Sequence, residues 1–180
     1  MGWTFGNFWR TKQDVVEHCI DWGTRFATLN HSVRGNRLWV LLQYNEGERK
    51  GDVFVALYLL SNSGGEWGYK DLDDTVGPYY YDCPLSYLTK TIESGRALSE
   101  STKSWHENVR KYHAEQRSKK KEVTKMASKL KPGVVLEFCD KQYKLCEKYP
   151  GRKGWEVRCL DDNKIYRMMH KQVNQATLVA

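Results

Sequence analysis

No stretch of this chain approaches the roughly 18–20 consecutive apolar residues that would span a bilayer, so a membrane-spanning helix is not expected. The opening MGWTFGNFWR has aromatics but no basic segment leading into a long apolar run, and a secretory signal is not expected there. Gly2 follows Met1, yet position 6 is Gly where a myristoylation signal needs Ser or Thr. The five cysteines (Cys19, Cys83, Cys139, Cys146 and Cys159) are odd in number and contain no CxxC pair. Secreted disulfide frameworks show even counts at dense spacing, so reduced thiols in a cytosolic setting are expected, several of them buried as small apolar residues. Phosphate-binding glycine loops are missing: SNSGGEWGYK has neither the P-loop nor the GxGxxG spacing. No two of the five histidines have zinc-like spacing, and no metal or other cofactor is expected.

What is present is ample material for a core. Thirteen per cent of residues are aromatic and 40% hydrophobic, a composition that excludes intrinsic disorder of the whole chain. The positive charge is localised. Residues 103–131 hold ten basic and three acidic residues, a net +7 that equals the charge of the entire protein. Residues 1–102 carry ten basic against thirteen acidic residues, and residues 132–180 nine against six. A basic segment of this kind points to one functional surface more directly than a basic pI spread over the molecule.

The pattern along the chain predicts an α+β protein. Thr11 is a fitting cap for a helix to about Trp22, with Gly23 as its stop. Residues 24–32 and 37–44 read as strands joined through Arg34-Gly35-Asn36, a hairpin. Asp52–Leu60 is the best candidate for a central strand. Residues 61–84 lose periodicity and read as a long ordered loop. Pro84 suits the first turn of a helix over about Leu85–Ser94. A second helix is expected from Ser99 or Ser101 to about Leu130, stopped by Pro132-Gly133. Its first half carries an apolar stripe (Trp105, Val109, Tyr112), and its second half is expected to project into solvent or lie across a partner. Strands at Val134–Cys139, Gln142–Cys146, Trp155–Cys159 and Lys164–Met169 predict a small antiparallel sheet or barrel. The expected organisation is an α+β domain over 1–98, a basic helix over 99–131 and a small β-rich module over 132–180.

Three constellations compete for function. The basic helix offers Arg110, Lys111, Arg117, Lys119, Lys120, Lys121, Lys125 and Lys129 to the phosphates of DNA or RNA, with Lys141, Lys144, Arg152 and Lys153 of the C-terminal module as possible aids. The bland alternative is a solvated helix. The 61–84 segment offers Trp67, Tyr69, Lys70, Asp71, Asp73, Asp74, Tyr79 and Tyr80 as a partner surface, and the same aspartates as hard ligands for a divalent cation, though without the EF-hand spacing. The alternative there is a structural loop. A third reading makes Cys83 a nucleophile with His31 as base and Asp82 beside it, an enzyme in place of a binding protein. Cys139, Cys146 and Cys159 reach a zinc set only by adding a distant ligand such as His170.

The segment YKDLDDTVGPYYYDCPLSYL, together with the MGWTF start and the helix spacing Trp105, Val109, Tyr112, His113, resembles an uncharacterised family of bacterial and phage proteins. The resemblance implies a bacterial cytoplasmic setting, often on mobile elements, and assigns no activity. The expected function is a non-catalytic accessory protein that binds nucleic acid through its basic helix. The alternatives are a protein inhibitor or adaptor of a host defence or nucleic-acid-processing complex, and a Cys/His-dependent enzyme.

Overall fold

The computed structural model describes residues 2–6, 8–73, 79–149 and 154–179. The chain divides into two compact units, Met1–Ala114 and Glu115–Ala180. The fold is α+β: among the described residues there are two antiparallel sheets and four helices. None of these helices is long and apolar enough to cross a membrane.

The first unit holds β1 (Thr4–Phe5), α1 (Lys12–Ile20), β2 (Phe26–Arg34), β3 (Arg37–Tyr44), β4 (Val53–Ser63), β5 (Glu66–Asp73), α2 (Leu85–Glu93) and the first half of α3 (Glu100–Lys129). The sheet order is β1-β5-β4-β3-β2, so the long apolar run of β4 is indeed the central strand. β3 and β4 read as almost continuous apolar segments because both of their faces are covered. Leu38, Val40, Leu42, Ala56 and Tyr58 face a core shared with Val15, Val16 and Cys19 of α1. Trp39, Leu41, Val55 and Leu57 face a second core with Tyr87 and Leu88 of α2 and Trp105 and Val109 of α3. Each fully buried side chain of this size contributes about 1.5–3 kcal/mol, so this double-sided packing dominates the unit's stability.

Local chemistry sets the helix boundaries. Thr11 accepts from the Asp14 amide at 3.2 Å while the Asp14 carboxylate accepts from the Thr11 amide at 2.8 Å, a reciprocal capping box that starts α1. Ser99 Oγ accepts from the Thr102 amide at 3.1 Å and caps α3.

The expected long loop over 61–84 is corrected. Residues 61–63 complete β4 and Glu66–Asp73 form β5, the two joined by a two-residue hairpin at Gly64-Gly65, both with positive φ. The alternation is masked in sequence by Gly68 and the charged residues. Gly68 has a tertiary reason: a Cβ there would collide with Thr4 and Phe5 of β1, which pairs alongside. Residues 74–78 lie outside the described residues.

The second unit holds the rest of α3, β6 (Val135–Phe138), β7 (Lys141–Lys148), β8 (Gly154–Cys159), β9 (Ile165–Met169), α4 (His170–Val173) and β10 (Thr177–Leu178). The sheet order is β10-β6-β7-β8-β9. The four expected strands are present. The chain then adds α4 and returns β10 to pair with β6, Thr177 opposite Glu137 and Leu178 opposite Leu136. Leu136, Leu145, Trp155, Val157, Met168 and Val173 form its core, joined by Leu130 just past the end of α3.

Candidate nucleic-acid interface

α3 is thirty residues long, and burial divides it in two. Thr102, Trp105, His106 and Val109 are buried, while from Glu115 to Lys129 no residue is. Trp105 stacks on Trp39 at 5.9 Å and donates its indole N–H to the Tyr80 carbonyl at 3.0 Å. All eight basic residues expected on this helix are exposed. Arg110 and Lys111 lie on the part of α3 that belongs to the first unit.

In the second unit, Arg117, Lys121, Lys125 and Lys129 recur every four residues. At about 100° per residue each step turns about 40°, so the four wind over about 120° of one side of the helix, in a ladder about 18 Å long. Lys119 points about 160° away from Lys121, and Lys120 points about 60° to the other side of Arg117, so the Lys119–Lys121 run spreads around the helix. Among the described residues, none of the four ladder residues forms an ion pair, whereas Lys103 near the start of the helix pairs with Glu100 at 2.7 Å. Like charges at i,i+4 cost a helix about 0.2–0.5 kcal/mol per pair. The ladder contains three such pairs in succession, so it weakens the helix that carries it. Lys141 and Lys144 are exposed on β7. Arg152 and Lys153 lie outside the described residues.

The segment after β5 is pinned to the first unit by polar contacts that sequence reasoning missed. Arg37 holds the Asp82 carboxylate at 2.9 Å, and its guanidinium lies 5.2 Å from the centre of the Tyr80 ring. Arg34 donates to the Asp82 carbonyl at 2.6 Å, and His113 donates its Nε2–H to the Cys83 carbonyl at 2.8 Å. Of the expected partner surface, Trp67, Tyr69 and Tyr80 are half-buried against the two cores, and Lys70 is half-buried. Tyr79 is 90% exposed and Asp71 is exposed. Asp73 closes β5, and Asp74 lies outside the described residues.

The structure does not assemble the Cys83–His31 pair. Cys83 is fully buried in the core shared with α2 and α3. His31 is exposed on β2 directly opposite Val40, and residues opposite one another in an antiparallel pair share a face. Val40 belongs to the α1-side core, so His31 and Cys83 sit on opposite faces of the sheet. Asp82 is committed to Arg37. Among the described residues, no group of three or more His, Cys, Asp or Glu gathers where it could hold a metal ion.

Comparison of the chain with protein-family models, curated proteins and solved structures gives no match.

Proposed function

We propose that this protein is a non-catalytic nucleic-acid-binding accessory protein whose main contact is the basic ladder of α3. The observation that carries the reading is the ladder itself: four exposed cations wound along one side of the helix, spaced at a cost to helix stability and without ion-pair partners among the described residues. A helix charged only for solubility gains more by interleaving acids at i+4. Lysine-rich contacts of this kind neutralise phosphates without reading bases, so the expected binding is largely independent of sequence. The resemblance noted above supports a phage or mobile-element origin and a bacterial cytoplasmic setting.

The test is binding of the full chain to labelled single-stranded DNA, duplex DNA and RNA across a salt series. Four phosphate contacts on duplex DNA predict a log–log slope of about −3.6, a loss of roughly two orders of magnitude in affinity between 50 and 200 mM salt. Replacing Arg117, Lys121, Lys125 and Lys129 by Gln should abolish this binding, whereas replacing Lys119 alone should weaken it far less. Equal binding by the ladder variant would overturn the proposal.

A second reading, docking to a host protein complex, is favoured by the exposed aromatics of the first unit. Phe8 is 88% exposed, and Trp3 and Phe5, 47% and 41% exposed, stack on each other at 6.0 Å. It predicts co-purification of a protein partner that is lost on substitution of Phe8, with no dependence on the ladder.

A further inference from the structure

On the α1 side of the first sheet there is a cavity of ≈ 280 Å³. Five aromatic side chains line it: Trp22 just after α1, Phe26 of β2, Tyr44 of β3, and Phe54 and Tyr58 of β4. Phe26 meets Trp22, Tyr44 and Phe54 edge to face, at interplanar angles of 76°, 83° and 73°. Tyr44 and Phe54 are tilted against each other at 5.0 Å, and Trp22 and Tyr58 at 6.3 Å, so each lining ring is held by a neighbour. Trp22 is further fixed by donating its indole N–H to the Cys19 carbonyl at 3.0 Å.

The cavity is aromatic but not wholly apolar. Asp71 of β5 stands directly opposite Tyr58 in the sheet register and lines the cavity, with no hydrogen bond or ion pair among the described residues. Arg25 lines it too, its guanidinium 5.0 Å from the centre of the Phe26 ring. One carboxylate and one guanidinium leave the lining without net charge, which disfavours a fully ionic ligand. Ring walls select a flat π-system. A carboxylate with open acceptor positions selects a ligand edge carrying N–H donors. The guanidinium, a donor only, selects an acceptor on the ligand.

We infer that this cavity binds a guanine base. Guanine combines the two required features on one edge: paired N1–H and N2–H donors suited to the two oxygens of Asp71, beside the O6 acceptor suited to Arg25. Stacking between aromatic side chains with hydrogen bonds to that edge is the general way proteins hold an unstacked base. At ≈ 280 Å³ the cavity lies at the small end of ligand sites, which run from about 300 Å³ upwards, and is suited to a base more than to an extended ligand. The inference goes beyond the ladder reading and stands without it, because the cavity belongs wholly to the first unit.

The test is titration of the full chain with guanosine, inosine, uridine and tetramethylammonium, read on the Trp22 indole N–H resonance, assigned with Trp22→Phe. Guanosine should shift it saturably. Inosine, which lacks the 2-amino group, should bind about tenfold more weakly, and uridine should not compete. Asp71→Asn should weaken guanosine binding about tenfold or more while its amide spectrum stays dispersed. The ladder variant should bind guanosine as the parent does, which separates this site from the helix. Absence of a saturable shift, equal affinity for inosine and guanosine, or tighter binding of tetramethylammonium than guanosine would each overturn the inference; the last would make the cavity a cation cage.

Discussion

The two halves of α3 are one continuous helix held by different forces. Residues 100–114 are fixed by burial: Trp105 and Val109 belong to a core, and His106 is 1% exposed. No residue of 115–129 is fully buried, and this half carries a ladder of repelling cations. This half concentrates like charge where only Gln116 and Met126 are half-buried and the rest is exposed. That contrast separates the structural half from the proposed functional half.

The comparison breaks most sharply at Trp105. Trp105→Ala removes a buried ring stacked on Trp39 and leaves the Tyr80 carbonyl without its donor, and should cost about 3–5 kcal/mol. Val123→Ala, on the other half and 48% exposed, should stay within about 0.5 kcal/mol. Urea denaturation of both variants checks the pair.

His106 sharpens the comparison through pH. Its pKa is pushed down from 6.5 to about 4, first by burial and then by the positive charges of Arg110 and Arg96. The folded pKa lies below the unfolded one, so this stability is fully present above pH 6.5 and is lost as pH falls towards 4. The loss should reach roughly 3 kcal/mol. His106→Phe should flatten this part of the stability–pH curve. It should also remove a cost present at every pH, because the Nε2 atom of His106 is buried without a hydrogen-bond partner among the described residues.

Asp82→Ala comes next. It leaves Arg37 without its carboxylate and loosens the segment that holds Cys83. With Arg37 partly exposed, the cost should be about 1–3 kcal/mol by urea denaturation. The smallest effect has the opposite sign. Replacing Arg117, Lys121, Lys125 and Lys129 by Gln relieves three repulsive pairs and should stabilise the helix by about 0.6–1.5 kcal/mol, measured by thermal melting, while nucleic-acid binding is lost. A loss of stability in that variant would show the ladder to be structural.

Much of this was legible in sequence because the causes are local. Thr11 with Asp14, Ser99, the apolar runs of β3 and β4, and the turn at Gly35 act within a few residues, and periodicity reports them. The eight cations of α3 were legible too, since a long polar helix exposes most of its charges. Less legible was their sorting: the most conspicuous run, Lys119–Lys121, is spread around the axis, and the ladder is spaced four apart. β5 was hidden because its alternation is interrupted by Gly68, which makes sense only once β1 lies beside it. α4 and β10 were hidden because segments of four and two residues are too short to show a period.

The sequence by itself determined the class of the protein, the helix caps, most strand positions and the concentration of positive charge on one helix, because these depend on neighbours along the chain. Only the tertiary structure decided which residues meet. It put His31 and Cys83 on opposite faces of one sheet, gave Asp82 to Arg37, and brought Trp22, Phe26, Tyr44, Phe54, Tyr58 and Asp71 around one cavity. Each of those outcomes depends on strand register, where a shift of one residue turns a side chain to the other face.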